Sequence, residues 1–124
     1  MTHIAIDLDD RFARFTDTWA PKVLARLNDY EIKAVRIQGE FVWHDHEDTD
    51  ELFLVLDGDL IIALRDGDVR LGPGQLYVVP RSVEHCPRAD GLVKALLIEP
   101  TGVVNTGGAG GALTASCDGS LIES

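Results

Sequence analysis

Three imidazoles and one carboxylate carry the chemistry this sequence can offer. His44 and His46 stand two apart in "WHDH", Glu51 opens the apolar run "ELFLVL", and His85 closes "PRSVEH". A strand sends side chains i and i+2 to the same face, so His44 and His46 project together as two imidazole ligands. Glu51 and His85 follow on later strands, at separations that let one β-barrel point all four groups inward. Nitrogen and oxygen donors of this kind suit a divalent transition metal (Mn, Fe, Co, Ni or Zn) rather than a structural thiolate site.

A lone His on an apolar strand is ordinarily a satisfied core or surface residue, and His3 belongs in that class. Three imidazoles and a carboxylate inside one barrel are harder to dismiss, because leaving them unpaired costs roughly 1–3 kcal/mol each. Four protein ligands on a six-coordinate metal leave about two positions open, as in a reactive site. With Fe or Mn these suit dioxygen and a chelating substrate; with Zn, Mn or Ni, Lewis-acid isomerisation or decarboxylation. Asp45, Glu47, Asp48 and Asp50 are expected to set local charge around the ligands, Asp50 being the nearest substitute for Glu51. Arg36 and Gln38 share the parity of His44 along an unbroken strand, so they and Phe53 are expected at the substrate pocket; a salt-bridged surface position is the commoner fate of such an Arg. Cys86 follows His85 and so points to the opposite face of a strand, as a small apolar filler rather than a nucleophile.

The elements that must position these groups read as all-β. Asp57-Gly58 and Asp66-Gly67 mark turns between "LFLVL", "LIIAL" and "VRL", and Gly72-Pro73-Gly74 leads into "QLYVV". Asn28-Asp29 predicts a hairpin between "KVLARL" and "YEIKAVRIQ", and "LVKALLI" is the last firm strand. Ahead of them, Asp9 or Asp10 can cap a short helix in which Phe12, Phe15 and Trp19 share a stripe, ended by Pro21. Short strands at nearly even spacing predict an antiparallel double-sheet barrel of the jelly-roll type. Residues 1–29 form a helix and covering strand, 30–105 the barrel, and 106–124 a Gly-rich flexible tail, since "TGGAGGALTAS" has no periodicity.

Two ordered motifs carry a family resemblance. Gly39, His44, His46, Glu51 and Gly58, followed by Gly74, Pro80, Ser82 and His85, resemble the paired signatures of the single-domain cupins. Gly39 stands one residue nearer the histidines than usual, Ser82 replaces the turn Gly, and the Asn that often closes the second motif is missing. The resemblance covers roughly residues 30–100 and is similar to small bacterial cupins described as mannose-6-phosphate-isomerase-like. It implies a cupin barrel, a metal on the four residues, and a homodimer.

Composition bounds the partners. With 21 acidic against 11 basic residues in 124, a net charge of −10 argues against nucleic acid and anionic membranes. No apolar run approaches the ~20 residues that span a bilayer, and a cytoplasmic protein acting on a small molecule is expected. If Glu51 faces inward, so do Phe53 and Val55, leaving Leu52, Leu54 and Leu56 outward. A strand apolar on both faces must be covered on both, either by the N-terminal segment or by a second subunit. A metal-dependent enzyme, a non-catalytic metal or metabolite binder and a degenerate barrel then remain, and the intact ligand set opposes the last.

Overall fold

Alternating burial along each segment builds seven strands around a shared interior, in a computed structural model that describes residues 3–107, 109–111 and 120–122. Strands β1 (Lys22–Leu27) and β2 (Tyr30–Glu40) form the expected hairpin, with Asn28 at φ 55°, a left-handed conformation its short polar side chain tolerates. Strands β3 (Glu51–Asp57), β4 (Leu60–Leu64), β5 (Gly67–Leu71) and β6 (Leu76–Val79) are separated by the predicted turns. At Gly58 (φ 89°) a Cβ would stand 2.6 Å from the Leu92 carbonyl oxygen, so the turn into β4 requires glycine twice over.

The last strand, β7 (His85–Pro100), joins the two sheets. Its later half lies between β2 and β3 in a sheet ordered β1-β2-β7-β3-β6, and its first residues pair with β4, which carries β5. Every pairing between these seven strands is antiparallel, giving the all-β jelly-roll barrel that the turn spacing predicts. Val35, Ile37, Phe53, Val55, Leu60, Ile62 and Val93 fill the space between the sheets. In β3, Glu51, Phe53 and Val55 are buried while Leu52, Leu54 and Leu56 are half-buried on the outer face, as their alternation requires.

The N-terminal segment departs from expectation. Its helix, α1, spans only Leu8–Phe12, and Asp7, not Asp9 or Asp10, is the cap; its carboxylate accepts from the amides of both. Phe15 and Trp19 lie beyond the helix, so the three aromatics do not form one helical stripe. They divide: Phe12 and Phe15 pack with Leu24 and Ala34 on the outside of β1 and β2, whereas Trp19, at φ 61°, turns into the barrel core. The Arg36 guanidinium takes the Phe12 carbonyl, closing the helix end long before Pro21.

The region expected to be a mobile tail makes specific contacts at both described ends. Thr106 is fully buried, and Asn105 donates its side-chain amide to the Trp19 carbonyl at 2.8 Å. Further on, Ser120 bridges to Val23, and the Leu121 amide donates to the Val23 carbonyl while its side chain packs against the Phe12 cluster. Residues 112–119, with Leu113 and Cys117, lie outside the described residues. Among the described residues no helix is long and apolar enough to cross a membrane.

Candidate metal centre

His44, outside the named strands, meets His85 at the start of β7 in an antiparallel bridge: the His44 amide donates to the His85 carbonyl at 3.0 Å and the His85 amide to the His44 carbonyl at 2.9 Å. Directly opposed residues put their side chains on one face, and the two imidazole centroids are 4.2 Å apart. Each ring turns its Nδ1 to the carbonyl two residues earlier, Val42 for His44 (2.9 Å) and Val83 for His85 (3.0 Å). A carbonyl can only accept, so both Nδ1 atoms carry the proton and both Nε2 lone pairs face the interior. His46 follows two residues after His44, and Glu51 enters from β3. The Glu51 oxygens lie 3.4 Å from His46 Nε2 and 3.5 Å from His85 Nε2.

One ligand atom from each of the four residues falls within 4.8 Å of the others, and all four residues are buried. The Nε2 atoms of His46 and His85 are buried without a hydrogen-bond partner. Two donors each about 2.1 Å from one ion stand roughly 3–4 Å apart, so the donor set fits a divalent transition ion. Burial, then the neighbouring His85, pulls the His44 pKa down to about 4, keeping its lone pair free at neutral pH.

An apolar chamber of about 30 Å³ adjoins the ligands, walled by Trp19, Val35, Ile37, Phe41, Phe53, Pro87, Leu97 and Asn105. Phe53 is therefore at the pocket, its ring edge-on to His85. Arg36 and Gln38 are not. Phe41 still faces the core with Val35 and Ile37, and its amide bonds to the Pro87 carbonyl; from there to the His44–His85 bridge this strand advances three residues and β7 two, a one-residue slip that gives residues before it the opposite parity from that counted back from His44. Val35 and Ile37 occupy the inner face; Arg36 points outward over the Phe12 and Phe15 rings, and Gln38 is exposed. Asp50 is exposed and accepts from the Arg81 amide at 2.8 Å, away from the ligand cluster. Cys86 is buried as expected, and burial, then the Glu40 charge, pushes its thiol pKa up.

The chain matches the cupin domain family over residues 34–99, more than half its length. It is a cupin. A cupin-2 domain protein of Shewanella frigidimarina is 48% identical, with a TM-score of 0.76 over 77% of this chain and 93% of that one. A Neisseria meningitidis protein is 28% identical, with a TM-score of 0.71 over 78% and 99% of the two chains. Among curated proteins, the uncharacterized YdbB of Bacillus subtilis is 30% identical across 69% of this chain and 71% of its own.

Within this cupin, sequence reasoning missed the residues behind Glu51. Glu99 on β7, beside Glu51, and Lys33 and Glu31 on β2 are all buried, and the Lys33 ammonium donates to Glu99 at 3.0 Å. Burial pushes the Glu99 pKa well above its usual value, and the neighbouring Glu51 carboxylate raises it further, against Lys33. For Glu51 burial also acts upward, but the neighbouring Glu99 carboxyl, then the close imidazoles of His46 and His85, outweigh it and hold the group well below its usual value. A second cleft, of about 420 Å³, touches His46 from outside and is lined by Asp45, Glu47, Asp48, Thr49 and residues 102–104 and 107. At Gly107 (φ 57°) a Cβ would collide with the Asp45 carbonyl, so glycine lets this segment close over the ligand loop.

Proposed function

We propose that this cupin holds one divalent transition metal on His44, His46, Glu51 and His85 and presents it to a small, uncharged or cationic polar metabolite. The observation that carries the reading is the pair of buried, unpartnered Nε2 atoms on His46 and His85, aimed at the carboxylate of Glu51. Desolvated donors without partners cost several kcal/mol unless a cation satisfies them. When bound, the ion would supply Lewis acidity for an isomerase-like reaction or a site for dioxygen chemistry. The chain's own contribution is to fix two imidazole tautomers through Val42 and Val83, to keep His44 neutral, and to wall the centre from water with Trp19, Phe41, Phe53 and Leu97.

Charge narrows the substrate. Among the described residues, neither the chamber nor the outer cleft is lined by Lys or Arg, while Asp45, Glu47 and Asp48 flank the cleft. A sugar phosphate would meet carboxylates and no clamp there, so the mannose-6-phosphate-isomerase resemblance supports the barrel rather than a phosphorylated substrate. The chamber, with room for about one water, favours a second reading, that of a non-catalytic metal binder. Elemental analysis of the purified protein tests the first claim: stoichiometric Mn, Fe, Co, Ni or Zn supports it, and a metal-free chain that takes up none of them overturns it. Turnover of neutral hydroxy-carbonyl compounds by the loaded protein separates enzyme from binder.

The outer face of the larger sheet supports a homodimer. Val78, Leu52, Ile98 and Ile32 align across four strands, and Leu76, Leu54 and Leu96 form the adjacent row. The N-terminal segment packs on Leu56 and Leu96, leaving Leu76 and Val78 exposed at 57% and 41%. A second copy laid on this face would bury the uncovered rows.

A further inference from the structure

We infer that Glu99 and Lys33 are positioning residues that fix the orientation of the Glu51 carboxylate, an inference that rests on the metal reading of the site. Strand pairing aligns Leu52 with Ile98 and Glu31 with Glu99, so Glu51, Glu99 and Glu31 form one row on the inner face across β3, β7 and β2. Their relative exposures are 3%, 1% and 2%. Lys33, 2% exposed, reaches over this row, 3.0 Å from Glu99 Oε1 and 3.9 Å from Glu31 Oε1, and Arg26 closes the rim end at 3.4 Å from Glu31 Oε2. The path from Glu51 to the surface is therefore polar throughout, whereas the barrel core away from the candidate ligands is built of apolar side chains.

Stability does not explain such a row. Replacing a buried ion pair by apolar residues of similar volume is often neutral or stabilising, because desolvation offsets the attraction. Geometry does explain it. The terminal torsion of a glutamate is broad and roughly two-fold, so an unsupported Glu51 carboxylate would swing. Here its oxygens lie one toward His46 and the other toward His85, and Glu99 stands next to it in the row, with Oε1 on Lys33 and a buried Oε2 that has no other partner among the described residues. Lys33 in turn pins Glu99. Neither Glu99 nor Lys33 lines the chamber, so both act through Glu51 and not on a substrate.

The test uses Co(II) as the probe, read by its visible absorption bands and by chelator competition. Glu99→Gln keeps the side chain's shape and an acceptor for Lys33 and places an amide beside Glu51; it is expected to hold Co(II) within about threefold of wild type, with unchanged bands. The double variant Lys33→Met/Glu99→Leu removes both members of the pair together. It leaves Glu31 with Arg26, and is expected to bind Co(II) about 10–100-fold more weakly, with shifted bands, while its metal-free melting temperature stays near that of wild type. Wild-type bands and affinity in the double variant overturn the proposal, as does a Glu99→Gln protein as weak as the double variant. Should the double variant not fold, Lys33→Gln, which releases Glu99, must shift the bands; unchanged bands and affinity there overturn it equally. A wild-type chain that binds no Co(II) overturns the metal reading and this proposal together.

Discussion

Ser82 donates its backbone N–H to the carbonyl of His46 over 2.9 Å while holding a left-handed φ of 64°. The turn of the second motif is thereby tied to the ligand loop of the first, at the position where other cupins carry glycine. A side chain in this conformation costs roughly 1–2 kcal/mol, against roughly 0.5–1 kcal/mol for the extra freedom that glycine loses on folding. Ser82→Gly is therefore expected to stabilise the protein by about 0.5–1 kcal/mol, a rise of roughly 3 °C in melting temperature, with metal content unchanged. A lower melting temperature would mean that the Ser82 hydroxyl makes a contact worth more than the strain.

The orphaned Nε2 atoms predict how the ligands fail. His46→Ala and His85→Ala each remove a donor that nothing else in the cluster replaces, and both variants should lose the metal on gel filtration. The barrel has its own apolar core, so chelator-treated wild type should keep its β-sheet circular dichroism and only melt lower. Stoichiometric metal in either variant removes that residue from the ligand set, and a coil spectrum on chelation shows that the site is part of the folding core.

What was legible in the sequence depended on unbroken periodicity. The i, i+2 pair His44 and His46, the alternation of β3 and the Gly and Asp turns all stand where a period of two puts them. Arg36 and Gln38 were misplaced by a one-residue slip between Phe41 and His44, which inverts every side chain before it. Glu31, Lys33 and Glu99 share the inward parity of Val35, Ile37, Ala95 and Leu97, yet a charged residue in an apolar alternation reads as a surface position; only the neighbouring strands show that they pair with one another. Asp7, Asp9 and Asp10 can all cap a helix, and the choice among them is made by contacts with β2 that no local pattern contains.

Acid should act through His44. In the unfolded chain this imidazole takes a proton near pH 6.5, whereas in the fold burial and His85 hold protonation off to about 4. Between these values the unfolded state binds more protons, so the contribution of His44 to stability is present above pH 6.5 and is lost as pH falls toward 4. In metal-free protein, wild type should therefore lose stability relative to His44→Gln across that window, and the imidazole resonances of His44 should still report the neutral ring at pH 5.5. A protonated His44 ring at pH 5.5 would show that the site is wetter than its packing implies.

Truncation after Thr106 removes the Leu121 side chain from the Phe12 cluster and its amide from the Val23 carbonyl, while the Asn105 contact to Trp19 stays. The expected loss is about 1 kcal/mol, roughly 3 °C in melting temperature, with fold and metal content retained. Loss of metal on truncation would show that the segment beyond Thr106 helps to close the centre.

The exposed rows on the larger sheet give the last prediction. Leu76 and Val78 stand on β6, an edge strand whose pairings all go to β3, and they continue the apolar rows of Leu54 and Leu52. Isolated exposed leucines are ordinary, but aligned rows over neighbouring strands make a continuous patch, and burying it yields ~25 cal/mol per Å². Charges placed there must be desolvated in any sheet-to-sheet contact, whereas in a monomer they simply face water. Leu76→Lys/Val78→Glu is therefore expected to leave folding and metal content intact and to convert a dimer into a monomer in sedimentation velocity at micromolar concentration. A wild-type chain that already sediments as a monomer at high concentration, or a variant that stays dimeric, would move the contact off this face.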